Sequence, residues 1–210
     1  MQIDVASQIG AVTREVQGGE REGKPVRVVI ASRSYDTTVD DLWEALTSAE
    51  RIPRWFLPVS GDLKLGGRYQ FQGNAGGTIT ACEPPRRLSV TWEFAGQVSW
   101  VNVSVAPEGE GTKLELEHIV PADDHWAQFG PGAVGVGWEL ALAVGLARHL
   151  AGGGAAVDPA EAAAWSASEE GKAFAAQSAA AWGHAHAVSG EDPDAANAAA
   201  ARTAKFYTGG

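Results

Sequence analysis

The chain has 210 residues and a formal charge of −10, from 16 Lys and Arg against 26 Asp and Glu. With 45% hydrophobic and 20% charged residues it has the composition of a folded chain rather than a disordered one. Its length is that of one large domain or of a domain with an appendage. The acidic balance disfavours a nucleic-acid backbone or an anionic membrane as the main partner. The single cysteine, Cys82, leaves no intramolecular disulfide and no cysteine-based zinc site. The first residues, MQIDVASQIG, lack the basic and apolar regions of a signal peptide, and no charge-free apolar run reaches the roughly 18 residues of a membrane span. The expectation is a cytoplasmic protein.

In chain order, residues 1–24 are polar and mixed. Val12, Arg14 and Val16 alternate with Thr13 and Glu15; then come QGGEREGK and the β-branched run VRVVIASRSY. Two strands around a Gly-rich turn are predicted, with a short helix over residues 4–10 as the alternative for the first part. DTTVDDLWEALTS carries a helix capped by Thr38 or Asp36, with Asp40 and Asp41 in its first turn and Val39, Leu42, Trp43 and Leu46 in one apolar stripe. A second short helix is expected over Ala49–Trp55. Six strands follow, at Gly61–Leu65, Gly67–Gln72, Gly77–Cys82, Arg87–Phe94, Val98–Pro107 and Thr112–Ile119. Their separators are of hairpin length, which implies an antiparallel meander.

Parity sets the faces of that meander. Leu88, Val90, Trp92 and Phe94 point one way and Arg87, Ser89, Thr91 and Glu93 the other. Leu114, Leu116 and His118 oppose Lys113, Glu115 and Glu117, and Val101, Val103 and Val105 oppose Asn102 and Ser104. The sheet therefore has one apolar face and one wet face. A helix over Gly132–Leu150, with Val134, Trp138, Leu142 and Leu146 four residues apart, is the candidate to cover the apolar one.

Alanine makes up more than a third of the last 60 residues. Asp158-Pro159-Ala160-Glu161 and Asp192-Pro193 are helix starts, so two or three helices are predicted. Trp165, Phe174, Trp182, Phe206 and Tyr207 are too large to leave in water, which favours docking on the domain or on a second subunit of a homodimer over a solvated tail. The chain thus divides into an N-terminal extension with an added strand (1–24), an α+β domain (25–152) and an Ala-rich helical extension (153–210).

Few motifs carry chemistry. Gly130-Pro131-Gly132-Ala133-Val134-Gly135 matches a dinucleotide fingerprint in letters, but no strand precedes it. Gly132, Gly135, Gly137 and Gly145 each weaken the helix by up to about 1 kcal/mol, a cost that implies close approach or space. Asp123-Asp124-His125 reads as a solvated loop at a helix start and not as a metal site. His184 and His186, two apart on a helix, do not face each other and read as surface residues. Cys82 reads as a small buried hydrophobe. His118 falls on the apolar face, either as a core histidine satisfied by a backbone carbonyl or as the one polar group of a ligand cavity. There is no acid–base dyad, no GxSxG and no phosphate loop, so no catalytic or metal-binding residue is assigned and no cofactor is expected.

The strings SRSYDTTVDDLWEALTSAERIPRWFLPVSGDLKLGGRYQF, GGTITACEPPRRLSVTWEF and TKLELEHI, followed by GPGAVGVGWELALAVGLARHL, resemble the START-like helix-grip superfamily, also called SRPBCC. Within it the chain is similar to the group named after the activator of the heat-shock-protein-90 ATPase, in a bacterial form with a helical C-terminal extension. The resemblance covers more than half the chain. It implies an α+β fold in which an antiparallel sheet wraps a long C-terminal helix and keeps a cavity for an apolar small molecule.

The leading expectation is non-enzymatic binding of a small hydrophobic ligand, lined by Trp55, Phe56, Tyr69, Phe71, Trp92, Val103, Leu116, His118, Trp138 and Leu142. The alternatives are a co-chaperone-like partner of a chaperone, with a stress-response role, and a cyclase- or hydrolase-type enzyme using the same cavity. The enzyme would need an acid beside His118. Glu115 and Glu117 have the wrong parity, and Glu139 is expected at the border of the helix.

Overall fold

The computed structural model describes residues 3–209. The elements run α1 (Val5–Gly10), β1 (Thr13–Arg21), β2 (Lys24–Tyr35), α2 (Val39–Thr47), a 3₁₀ turn (Ile52–Arg54), β3 (Val59–Gly61), β4 (Arg68–Phe71), β5 (Gly76–Glu83), β6 (Arg87–Phe94), β7 (Gln97–Glu108) and β8 (Gly111–Pro121). Then come α3 (Asp124–Phe129), α4 (Gly132–Glu139), a π-helical segment (Leu140–Leu146), α5 (Ala147–Ala151), α6 (Pro159–Ala167), α7 (Glu169–Val188) and α8 (Pro193–Thr208). The strands form one sheet in the order β1-β2-β8-β7-β6-β5-β4-β3, antiparallel in each pairing from β3 to β8. The architecture is α+β, of the helix-grip class.

Local chemistry explains most boundaries. Glu22 and Gly23, with φ of 52° and 75°, turn β1 into β2, and Ala95 and Gly96, with φ of 51° and 79°, turn β6 into β7; paired positive φ values suit the twist of two-residue hairpins. Gly18 and Gly19 stay inside β1, so the first turn is tighter than QGGEREGK suggested. Helix and strand both form at the N-terminus, since Asp4 caps α1 through Ser7 N. The second short helix shrinks to Ile52–Arg54, with Pro53 in its first turn. The strand expected over Gly61–Leu65 lies two residues earlier, because Gly61 pairs with Tyr69 and ends β3.

Backbone contacts divide the chain into two compact units: residues 1–31, 121–144 and 158–210, and residues 32–120 and 145–157. In the first, Asp123 caps α3 by accepting from Trp126 N at 3.0 Å, with Asp124 and His125 exposed at the helix start expected there. The glycines of α4 admit the C-terminal helices. A methyl at Gly135 would overlap the Trp182 indole on α7, and one at Gly132 would lie 2.9 Å from the Thr203 methyl on α8. Trp165, Phe174 and Trp182 are buried, as their size requires, but Phe206, in the last turn of α8, is 73% exposed, which corrects the expectation for that ring. His186 is also a correction. It is buried, stacked edge-on against Trp126 at 5.2 Å, while His184 is exposed.

Glu139 is not at a helix border. It is fully buried, and both its oxygens are taken by Arg14 of β1, at 2.6 Å from Nε and 2.8 Å from Nη2. The 20-residue helix Gly132–Ala151 is long and apolar enough to cross a membrane, yet more than half of its most apolar stretch is buried in the protein. Its buried ion pair marks it as a core helix.

The second unit is the meander from β3 to β8 with α2 and the end of the long helix. Thr38 caps α2, accepting from Asp41 N at 3.2 Å, and the helix buries Leu42 and Ala45. Arg51 joins α2 to α5: its Nη1 donates to Asp41 Oδ1 at 2.6 Å and its Nε to His149 Nε2 at 3.3 Å. His149 Nδ1 donates to Ala155 O at 2.7 Å, which sets that tautomer. Cys82 is half buried rather than buried, and Phe94, at the hairpin tip, is 54% exposed.

Candidate functional site

The register of the sheet places the candidate residues. Val101 stands opposite His118 and Val103 opposite Leu116 across β7 and β8, and Trp92 stands opposite Ser99 across β6 and β7. Side chains alternate along a strand, so Trp92, Ser99, Val101, Val103, Leu116 and His118 share one face. Leu114, Leu116 and His118 are buried while Lys113, Glu115 and Glu117 are only partly so, and the one-sided sheet is therefore real.

A series of rings runs from the end of the 3₁₀ turn to that face. Trp55 contacts Phe56 at 5.5 Å, Phe56 meets the edge of Phe71 at 5.0 Å, Phe71 lies 5.8 Å from Trp92, and Trp92 lies 6.0 Å from His118. Tyr69 joins at Phe71, 5.3 Å away. Trp55, Phe56, Phe71 and Trp92 are half buried, whereas Tyr69, Val103, Leu116 and His118 are buried. These eight expected site residues belong to the second unit. Trp138, half buried on α4, and Leu142, buried in the π-helical segment, belong to the first.

Several polar atoms of the wall are held by hydrogen bonds. The Trp55 indole N–H donates to Ala45 O at 2.9 Å, and the Tyr69 hydroxyl donates to Thr91 O at 2.7 Å. His118 Nε2 lies 2.9 Å from Ser99 Oγ, which in turn donates to Trp92 O at 3.1 Å. A hydroxyl has one proton, and Trp92 O can only accept, so His118 Nε2 is the donor to Ser99. The neutral tautomer with its proton on Nε2 is thereby selected. Burial lowers the His118 pKa to about 3, so the ring is uncharged at neutral pH. Burial also raises the pKa of the Tyr69 phenol.

The sequence reading missed Ser99. The signal was available, since Ser99 has the parity of Val101, Val103 and Val105. Through the Ser99 hydroxyl, His118 is linked to the Trp92 carbonyl. Chemically, the wall offers aromatic surface and a neutral imidazole. Glu139 is occupied by Arg14, and the Tyr69 hydroxyl is committed to the backbone.

Residues 36–151, from the approach to α2 through α5, match the family described as activator of Hsp90 ATPase homolog 1-like protein. The chain belongs to this family. Among solved structures it is similar to CalU16 from Micromonospora echinospora, at 36% identity and a TM-score of 0.69, over 83% of this chain and 98% of that one. It is similar to DynU16, a protein of the dynemicin biosynthetic locus, at 26% identity and a TM-score of 0.52, over 60% of this chain and 48% of that one. It shares its fold with PFC0360w, an Hsp90 activator from Plasmodium falciparum, at 23% identity and a TM-score of 0.50, over 61% of this chain and 96% of that one. Comparison with curated proteins gives no match. Family and fold support a ligand-binding or activator-type role in general.

Proposed function

We propose that this chain is a non-enzymatic receptor for a small hydrophobic molecule, bound against the aromatic wall of the second unit. The observation that carries the reading is the unbroken ring series from half-buried Trp55 to buried His118. Burying a ring of this size is worth roughly 1.5–3 kcal/mol, so a core built for stability alone would draw Phe56, Phe71 and Trp92 fully inward. Aromatic surface left half buried beside a few buried polar groups is the usual make-up of a small-molecule site. The similarity to DynU16 supports a product or intermediate of secondary metabolism as the source of such a ligand.

Titration with neutral polycyclic aromatics, followed by tryptophan fluorescence, tests the proposal. Saturable quenching is expected in the intact chain and is expected to weaken in Trp92→Leu. Linear, non-saturating quenching, unchanged in the variant, would remove the receptor reading.

A further inference from the structure

We infer that the aromatic wall takes a neutral, planar, conjugated molecule and holds it by ring stacking and shape, without an ionic anchor. This rests on the receptor reading above and narrows it to one ligand class.

The ring geometry is the first ground. Phe56 and Phe71 are nearly perpendicular, at 82°, Tyr69 and Phe71 cross at 66°, and Phe71 and Trp92 at 44°. Such a mesh presents both faces and edges, and a conjugated guest can meet each in the offset or edge-on arrangements that aromatic pairs prefer. An alkyl chain gains contact area there but none of that directional attraction.

Charge is the second ground. A carboxylate leaving water needs a cation and further hydrogen bonds. Three arginines that flank Trp55 and Tyr69 in sequence are engaged. Arg51 is held by Asp41 and His149, Arg54 by Glu50 O and Gly154 O, and Arg68 by Glu93 at 2.7 Å. The Trp55 N–H, the Tyr69 hydroxyl and His118 Nε2 are likewise committed, so these three donors are already spent within the protein. His118 supplies no positive charge at neutral pH, because burial holds it in the neutral form. The chain's net charge of −10 opposes anions at longer range.

The test is equilibrium dialysis of the intact chain at pH 7.5 against three probes: 9-anthracenemethanol, 9-anthracenecarboxylate and palmitate. The alcohol is expected to bind saturably, with both carboxylates at least tenfold weaker. Phe71→Leu, which keeps an apolar side chain but removes the ring, is expected to weaken the alcohol about fivefold or more, with the circular dichroism spectrum unchanged. Equal affinities for alcohol and carboxylate, tighter binding of palmitate, or an unaffected Phe71→Leu would each overturn this inference while leaving the receptor reading in place. Failure of all three probes to bind would overturn both.

Discussion

Gly135 lies directly beneath the indole of Trp182, so close that a single added carbon at Gly135 would overlap the indole Cε2 and Nε1. The helix gives up stability to gain this approach, and Trp182 is fully buried as a result. Gly135→Ala should therefore behave opposite to its helix propensity. Propensity alone would stabilise α4 by up to about 1 kcal/mol, whereas overpacking a rigid contact costs about 1–3 kcal/mol. Net destabilisation is expected by urea denaturation. A gain in stability would mean that the indole moves aside freely.

The Arg14–Glu139 pair ties β1 to α4 through a bidentate contact with both side chains almost wholly buried. Removing one partner strands the other charge, so Arg14→Met should cost about 3–5 kcal/mol. The double variant Arg14→Met, Glu139→Leu should recover most of that loss, since a well-packed apolar pair is often as stable as a buried ion pair. A thermodynamic cycle measured by chemical denaturation checks it; simple additivity of the two losses would contradict the account.

Ser178 is fully buried on α7, and its hydroxyl has no hydrogen-bonding partner among the described residues. An unsatisfied buried hydroxyl costs about 1–3 kcal/mol, and alanine is the better helix former. Ser178→Ala is expected to raise stability by about 1 kcal/mol, read as a shift in urea midpoint at constant slope. A lowered midpoint would show that the hydroxyl is used.

His118 makes stability depend on acid. Its pKa in the folded chain is about 3, below the value near 6.5 of an unfolded histidine. The unfolded chain therefore binds the extra proton first. Stability is unaffected above about pH 6.5 and falls as pH drops from there toward 3, by up to about 1.4 kcal/mol per pH unit. His186, whose pKa burial also lowers, adds a slope of the same sign. His118→Phe should flatten the profile between pH 6 and 4 and His186→Phe should leave the remaining His118 slope. An unchanged slope in His118→Phe would contradict the buried neutral assignment.

Particular residues show how far the fold could be read from the chain. β6 falls on Arg87–Phe94 as expected, because alternation is strict and turn residues bracket it. Thr38, Asp158 and Asp192 cap their helices as expected, since capping is local chemistry. The errors arose where tertiary contacts decide. In the Ala-rich α7 no face is distinctly apolar, so nothing local marks His186 as buried and His184 as exposed; Trp126, from α3, makes that choice. The π-helical Leu140–Leu146 segment shifts the stripe that a regular spacing from Val134 to Leu146 assumes. For the site, parity gathered Trp92, Val103, Leu116 and His118 on one face, and the same rule would have found Ser99. What parity could not supply was the direction of the hydrogen bonds that commit the wall's polar atoms.

The central claim is that the ring series from Trp55 to His118 receives a ligand. Intermolecular NOEs between bound 9-anthracenemethanol and the ring protons of Phe71 and Trp92 measure this most directly. The account predicts strong cross-peaks to both rings, lost on competition with a second neutral aromatic. Cross-peaks confined to exposed rings such as Phe206, with none to Phe71 or Trp92, would contradict it.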